Sequence, residues 1–169
     1  MPVPRFILAG TDAGPAVDLA AGALLAAFTR RRAVRPVLLG LKLPLWRLLY
    51  RGSGKAPRVV DPALHSQAVS VELIEYWSER VEMLMAVGTC PVLDSWEGVE
   101  GSRPVDYAAR LDAPLILVLD ARDRGATAAA GVLGVRALAS QAEIGGLIVV
   151  GAEETPAGRE LLQSLRRDV

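Results

Sequence analysis

Short, nearly continuous apolar runs alternate along the chain with longer stretches of helical period, and this alternation leaves few folds open. A strand covered on both faces reads as an unbroken apolar run, and Pro114–Asp120 (PLILVLD) is the clearest case. Similar runs predict strands at Arg5–Gly10, Val34–Leu39, Pro91–Leu93 and Gly146–Val150. Between them, helices are expected over Pro15–Arg32, Ser70–Ala86, Pro104–Leu111, Ala126–Ala139 and Pro156–Arg167. The Ser70–Ala86 helix rests on Val71, Ile74, Trp77, Val81 and Leu84 at helical spacing, with Gly88 as its stop. Leu43–Tyr50 has helical spacing too, but Pro44 and the Gly52-Ser53-Gly54 turn leave it unplaced. The expectation is one α/β domain over residues 1–169, with a mainly parallel central sheet of about five strands flanked by helices.

Composition supports a packed chain: of 169 residues, 51% are apolar and 22% charged, too apolar for a disordered segment. A single cysteine, Cys90, excludes an internal disulfide framework, and a single histidine, His65, excludes a His/Cys metal cluster within one chain. No signal-peptide pattern and no apolar run of about 20 residues is present, so a cytoplasmic chain without a membrane span is expected, with no metal ligand set.

Nineteen Lys and Arg balance nineteen Asp and Glu, yet the balance hides a division. Leu19–Val60 holds nine bases and no acid, whereas Asp61–Glu100 holds eight acids and one base, Arg80. Arg30, Arg31, Arg32, Arg35, Arg47 and Arg51 are the candidate partner-binding residues, with Trp46 and Tyr50 among them able to stack on a planar ligand. The plainer reading is a solvated rim paired with the acidic helix face of Glu72, Glu75, Glu79 and Glu82, within the molecule or across a homodimer. Nucleic acid fits less well because the bases are spread over a helix end, a strand and a turn, and Pro44 limits Leu41–Tyr50 as a membrane-surface segment. His65 reads as a capping or surface residue, and Cys90 as a buried, inert thiol.

In an open α/β sheet, ligands sit beyond the carboxyl ends of the strands. The first such turn runs Gly10, Thr11, Asp12, Ala13, Gly14, Pro15, Ala16, Val17, Asp18. Its frame is that of a phosphate-binding loop, with Gly10–Gly14 as the candidate cofactor-binding residues. In the register that leaves five residues between the two glycines, the second glycine falls on Ala16, the lysine on Val17 and the Ser/Thr on Asp18. Losing the lysine removes a charge-assisted contact of roughly 1.5–3 kcal/mol, and a carboxylate beside a triphosphate adds like-charge repulsion.

The chain resembles the N-terminal synthetase domain of the cobyrinic acid a,c-diamide synthases, P-loop amidases related to dethiobiotin synthetase and cobyric acid synthase. The matching stretches are Ile7–Gly14 (ILAGTDAG), Asp106–Ala121 (DYAARLDAPLILVLDA), Gly125–Val135 (GATAAAGVLGV) and Gly145–Val149 (GGLIV). The resemblance implies a P-loop NTPase-like three-layer sandwich and ATP- and Mg-dependent amidation of corrin carboxylates in cobalamin biosynthesis. It also implies Lys then Thr at Val17 and Asp18, and a Lys-x-Gly-Pro-Asp motif at Leu38–Lys42, so that Lys42 stands where a metal-ligating Asp is expected. An acid-Gly pair after the third strand corresponds to Asp94-Ser95 or Glu97-Gly98, and a base-contacting Asn to Val150. No glutamine amidotransferase domain is expected within residues 1–169, and Cys90 is not expected to act as its nucleophile, since it lacks a paired base.

Lys42, Asp94 and Glu97 are therefore the remaining catalytic candidates. The expectation is a degenerate synthetase domain that has lost amidation and serves as a binding or assembly module. As such it would be a dimer, or the partner of a complete amidase, or would hold a corrinoid or other anionic small molecule. Two alternatives stay open: an active component of an amidoligase, for which ATP and Mg would be the cofactors, and a ParA-like nucleic-acid adaptor.

Overall fold

The computed structural model describes residues 3–169. Six strands form one sheet: β1 (Arg5–Gly10), β2 (Val34–Leu39), β3 (Arg58–Val60), β4 (Met83–Gly88), β5 (Leu115–Asp120) and β6 (Ile144–Val150). Their spatial order is β3-β2-β4-β1-β5-β6, and every neighbouring pair is parallel. Six helices cover it: α1 (Ala16–Phe28), α2 (Leu43–Ser53), α3 (Gln67–Ser78), α4 (Pro104–Arg110), α5 (Thr127–Leu138) and α6 (Pro156–Asp168).

Alternating strand residues separate two cores. Leu8, Leu38, Met85, Val87 and Val118 pack with Leu25 of α1 and with Leu45 and Leu49 of α2. Ile7, Val37, Leu84, Ala86 and Leu117 pack on the other face with Ile74 of α3, Tyr107 of α4, Val132 of α5 and Leu161 of α6. The molecule is a three-layer α/β sandwich with its sheet in the middle, as expected.

Four expectations are corrected. The expected helix over Ser70–Ala86 is two elements: α3 ends at Ser78, and Met83–Gly88 is β4, which lies between β1 and β2 in the sheet. Gly88 thus closes a strand, and its flatness matters there, because a Cβ would lie 2.7 Å from the Pro104 ring. Pro91–Leu93 is a connection rather than a strand, held by Val92 N donating to Gly10 O at 2.9 Å. The sheet accordingly has six strands, β3 and β4 being the additions to the expected set. The unplaced segment is α2, whose Pro44 sits in the first turn, where its missing N–H costs nothing. Helix α1 stops at Phe28, leaving Arg30–Arg32 in the turn beyond it.

Candidate functional site

The carboxyl ends of β1, β2, β4 and β5 bring four connections together: residues 11–15, 40–42, 89–95 and 121–126. In the first of them, Gly10 is required by crowding. A Cβ there would lie 2.6 Å from Asp12 O and 2.8 Å from Val17 Cγ2, so the loop folds back onto its own start. No residue from Gly10 to Asp18 adopts a positive φ, so the αR–αL alternation that points successive amides into one anion-binding hollow is missing. Val17, where the resemblance expects lysine, is 7% exposed and belongs to the core beside Leu8 and Ala21.

Ion pairs tie the connections to one another. Lys42 Nζ donates to Asp18 Oδ1 at 2.8 Å, joining the turn after β2 to the first turn of α1. Arg124 reaches Asp12 Oδ2 at 2.8 Å, joining the connection after β5 to the loop. Arg122 grips Asp120 at the end of β5, with Nε donating to Oδ1 at 2.9 Å and its other arm to Oδ2. That grip holds the Asp120 carboxyl down at about 2, against the opposing cost of burying it. Gly151 makes room for the pair: its φ is 73°, and a Cβ would meet Arg122 Cγ at 2.4 Å.

Two further residues shape the rim. Gly40 has φ +96°, and a Cβ on it would collide with the Trp96 indole, so Trp96 packs closely against the end of β2. Thr89 Oγ1 donates to Leu39 O at 2.6 Å and closes the same corner. Trp96 did not figure among the sequence candidates. The glycine after β2 was the only local sign of a close approach.

A cleft of about 360 Å³ lies between Thr11–Ala13 and Pro91–Asp94, with Val135 at its base. Asp94 lines it, whereas Lys42 is taken by Asp18 and Glu97 stands outside its lining, exposed on a 3-10 turn with φ 47°. The three catalytic candidates are therefore not gathered in one pocket. Cys90 is half-buried, and burial and the nearby Asp94 push its thiol up to about 11, well away from nucleophile range. A larger cleft, about 940 Å³, lies elsewhere, between α4 and the connection that precedes it, where Arg103 and Asp106 already satisfy each other through two hydrogen bonds.

The donor set does not fit a nucleotide-bound magnesium ion. The carboxylate at Asp18 is occupied by the Lys42 ammonium group, the buried Val17 stands where the loop lysine is expected, and among the described residues no group of three or more His, Cys, Asp or Glu side chains could hold a metal. His65 precedes α3, and its Nδ1 accepts from Asp61 N at 3.3 Å, a local cap. Of the candidate partner-binding arginines, Arg30, Arg31, Arg32, Arg47 and Arg51 are exposed and Arg35 is half-buried on β2. Among the described residues none of the six is in an ion pair; the basic and acidic stretches meet instead through the β2–β4 strand pair and through Arg58, whose guanidinium lies 5.7 Å from the centre of the Trp77 ring of α3. Glu82 lies beyond α3, capping Ala33 N at 2.7 Å, and not on the expected acidic helix face.

No protein-family model and no curated protein matches the chain. Solved structures do. Chloroplast FtsY from Physcomitrella patens superposes with a TM-score of 0.65 at 13% identity, covering 99% of this chain and 56% of that one. The signal recognition particle receptor FtsY from Elizabethkingia anophelis gives 0.64 at 14% identity, over 99% and 55%. The signal recognition particle 54 kDa protein from Aeropyrum pernix, solved with GDP, gives 0.59 at 16% identity, over 98% and 39%. The chain thus spans about half the length of the two FtsY proteins. Its fold is that of the P-loop NTPases.

Proposed function

We propose that this chain is a cobyrinic acid a,c-diamide synthase-like domain that keeps the P-loop fold and works as a binding or assembly module, without ATP-driven amidation of its own. The observation that carries this reading is the Lys42–Asp18 pair. Where the family resemblance expects a magnesium-ligating Asp and a Thr, the chain has exchanged a cation site for an internal salt bridge. Both members are partly exposed, so the pair adds at most about 1 kcal/mol to stability. Its chemical effect is larger, because it removes both the ligand and the vacancy that a divalent ion needs. The buried Val17 and the Arg124–Asp12 link act in the same direction. An amidoligase in which Lys42 supplies the missing charge is disfavoured, since Lys42 is already neutralised.

Calorimetric titration with Mg-ATP and Mg-GTP tests the proposal. The loss of a charge-assisted contact worth roughly 1.5–3 kcal/mol predicts affinity at least about tenfold below that of a complete loop. Micromolar binding that disappears on Asp12→Ala or Asp94→Ala would overturn it.

A further inference from the structure

The connection from β4 to α4 and the turn that starts α3 enclose a cavity of about 300 Å³ between them. Tyr107 of α4 lines it and is only 1% exposed. Its hydroxyl lies beside that of Ser70, which is fully buried and has no hydrogen-bond partner. Two neighbouring hydroxyls can place only one of their two protons between them, and a buried donor left over is costly. With Ser70 donating to Tyr107, the Tyr107 proton is free for whatever fills the cavity. Burial pushes that phenol up, so it keeps its proton at neutral pH.

Other donors border the same space. His65 Nδ1 accepts from Asp61 N at 3.3 Å, so the ring proton sits on Nε2. The Gln67 carboxamide lies against Gly101, whose φ of 73° and missing Cβ leave it room. The first amides of α3, that of Gln67 among them, have no carbonyl of their own helix to bond. Ser102, by contrast, is used up within the connection, accepting from Trp96 N and donating to Val99 O. Glu100 is the one acidic residue of the lining, and it is exposed and in no ion pair among the described residues. It stands where the cavity meets the cleft of about 940 Å³, since both are lined by Gln67, Glu100 and Gly101.

We infer that this cavity binds a small amino acid, its carboxylate held by Tyr107, His65 and the start of α3 and its ammonium group by Glu100. A carboxylate accepts hydrogen bonds without donating, which suits a wall of neutral donors, and the start of a helix favours an anion. A phosphate dianion would face Glu100 with no lysine or arginine in the lining to offset it. A plain carboxylic acid meets the same repulsion, which an ammonium group turns into attraction. The inference rests on the binding-module reading proposed above and names the ligand, yet it uses no residue of the cleft beside Thr11–Ala13.

Calorimetric titration of the wild-type chain with glycine, β-alanine, γ-aminobutyrate and ε-aminocaproate tests it, with butyrate, butylamine and inorganic phosphate alongside. At least one of the amino acids should bind with a dissociation constant below about 1 mM, and the last three compounds at least about tenfold more weakly. Glu100→Gln, at an exposed position, should bring that amino acid down to the level of butyrate. Tyr107→Phe, which removes only the hydroxyl, should weaken the amino acid and butyrate alike, by at least about fivefold. In the wild-type chain, amide chemical shifts on saturation should fall on Gln67 and Ala68. No binding by any of the four amino acids, butyrate or phosphate bound as tightly, indifference to Glu100→Gln, or shifts at Gly10–Gly14 in place of α3 would each overturn the inference. Mg-ATP titration of Glu100→Gln reports separately on the proposed loss of nucleotide binding.

Discussion

At the scale of single residues, the rim of the carboxyl edge depends on two glycines whose reasons are local and checkable. Gly40→Ala puts a methyl into the Trp96 indole at a φ that L residues rarely adopt, and should cost about 1–3 kcal/mol in urea unfolding, with Trp96 fluorescence shifted toward that of water. Asp120 offers a titration. Its folded carboxyl lies at about 2, below the ordinary 3.8, so the Arg122 pair contributes stability that is complete above the ordinary value and disappears as pH falls through about 2. Asp120→Asn should therefore be less stable than wild type at neutral pH, and the gap in urea midpoint should close between about pH 4 and pH 2. A gap that persisted at the acid end would mean that Arg122 does not hold Asp120 in its charged form.

At the scale of elements, α3 shows how helix boundaries are set. It starts at Gln67 because the Ser66 hydroxyl accepts from Val69 N at 3.3 Å, and Ser66→Ala should lower stability by about 1 kcal/mol in thermal or urea unfolding. Thr155 caps α6 in the same way, accepting from Gly158 N at 3.1 Å. Much of the fold was legible in the chain: β1, β2 and β5 and the helices α4, α5 and α6 lie within a residue or two of where periodicity placed them. Strand β4 was hidden because Met83-Leu84-Met85-Ala86 is rich in helix formers and continues the apolar spacing of α3 by accident. Burial on both faces, which only the assembled sheet supplies, makes it a strand. Amide exchange should reflect that position. Leu84–Val87 should exchange only through global unfolding, whereas β3, short and at the edge, should open locally. Fast exchange at Leu84–Val87 would contradict a strand enclosed by β1 and β2.

At the scale of the whole molecule, the equality of nineteen bases and nineteen acids arises from unlike regions, and among the described residues the candidate partner-binding arginines are left without an ion pair. The site was less legible than the fold for a physical reason. The loop frame is local and can be read in sequence, but its closure by Lys42 on Asp18 spans 24 positions, and Arg124 on Asp12 spans 112. That first closure has a consequence for how such a chain can change. Replacing Asp18 with Thr alone strands the Lys42 ammonium, and replacing Lys42 with Asp alone sets two carboxylates against each other. Val17→Lys alone forces a cation into the core. On the reading proposed above, restoring a magnesium-holding loop would therefore take coordinated replacements at Val17, Asp18 and Lys42, because the salt bridge couples two positions that lie 24 residues apart.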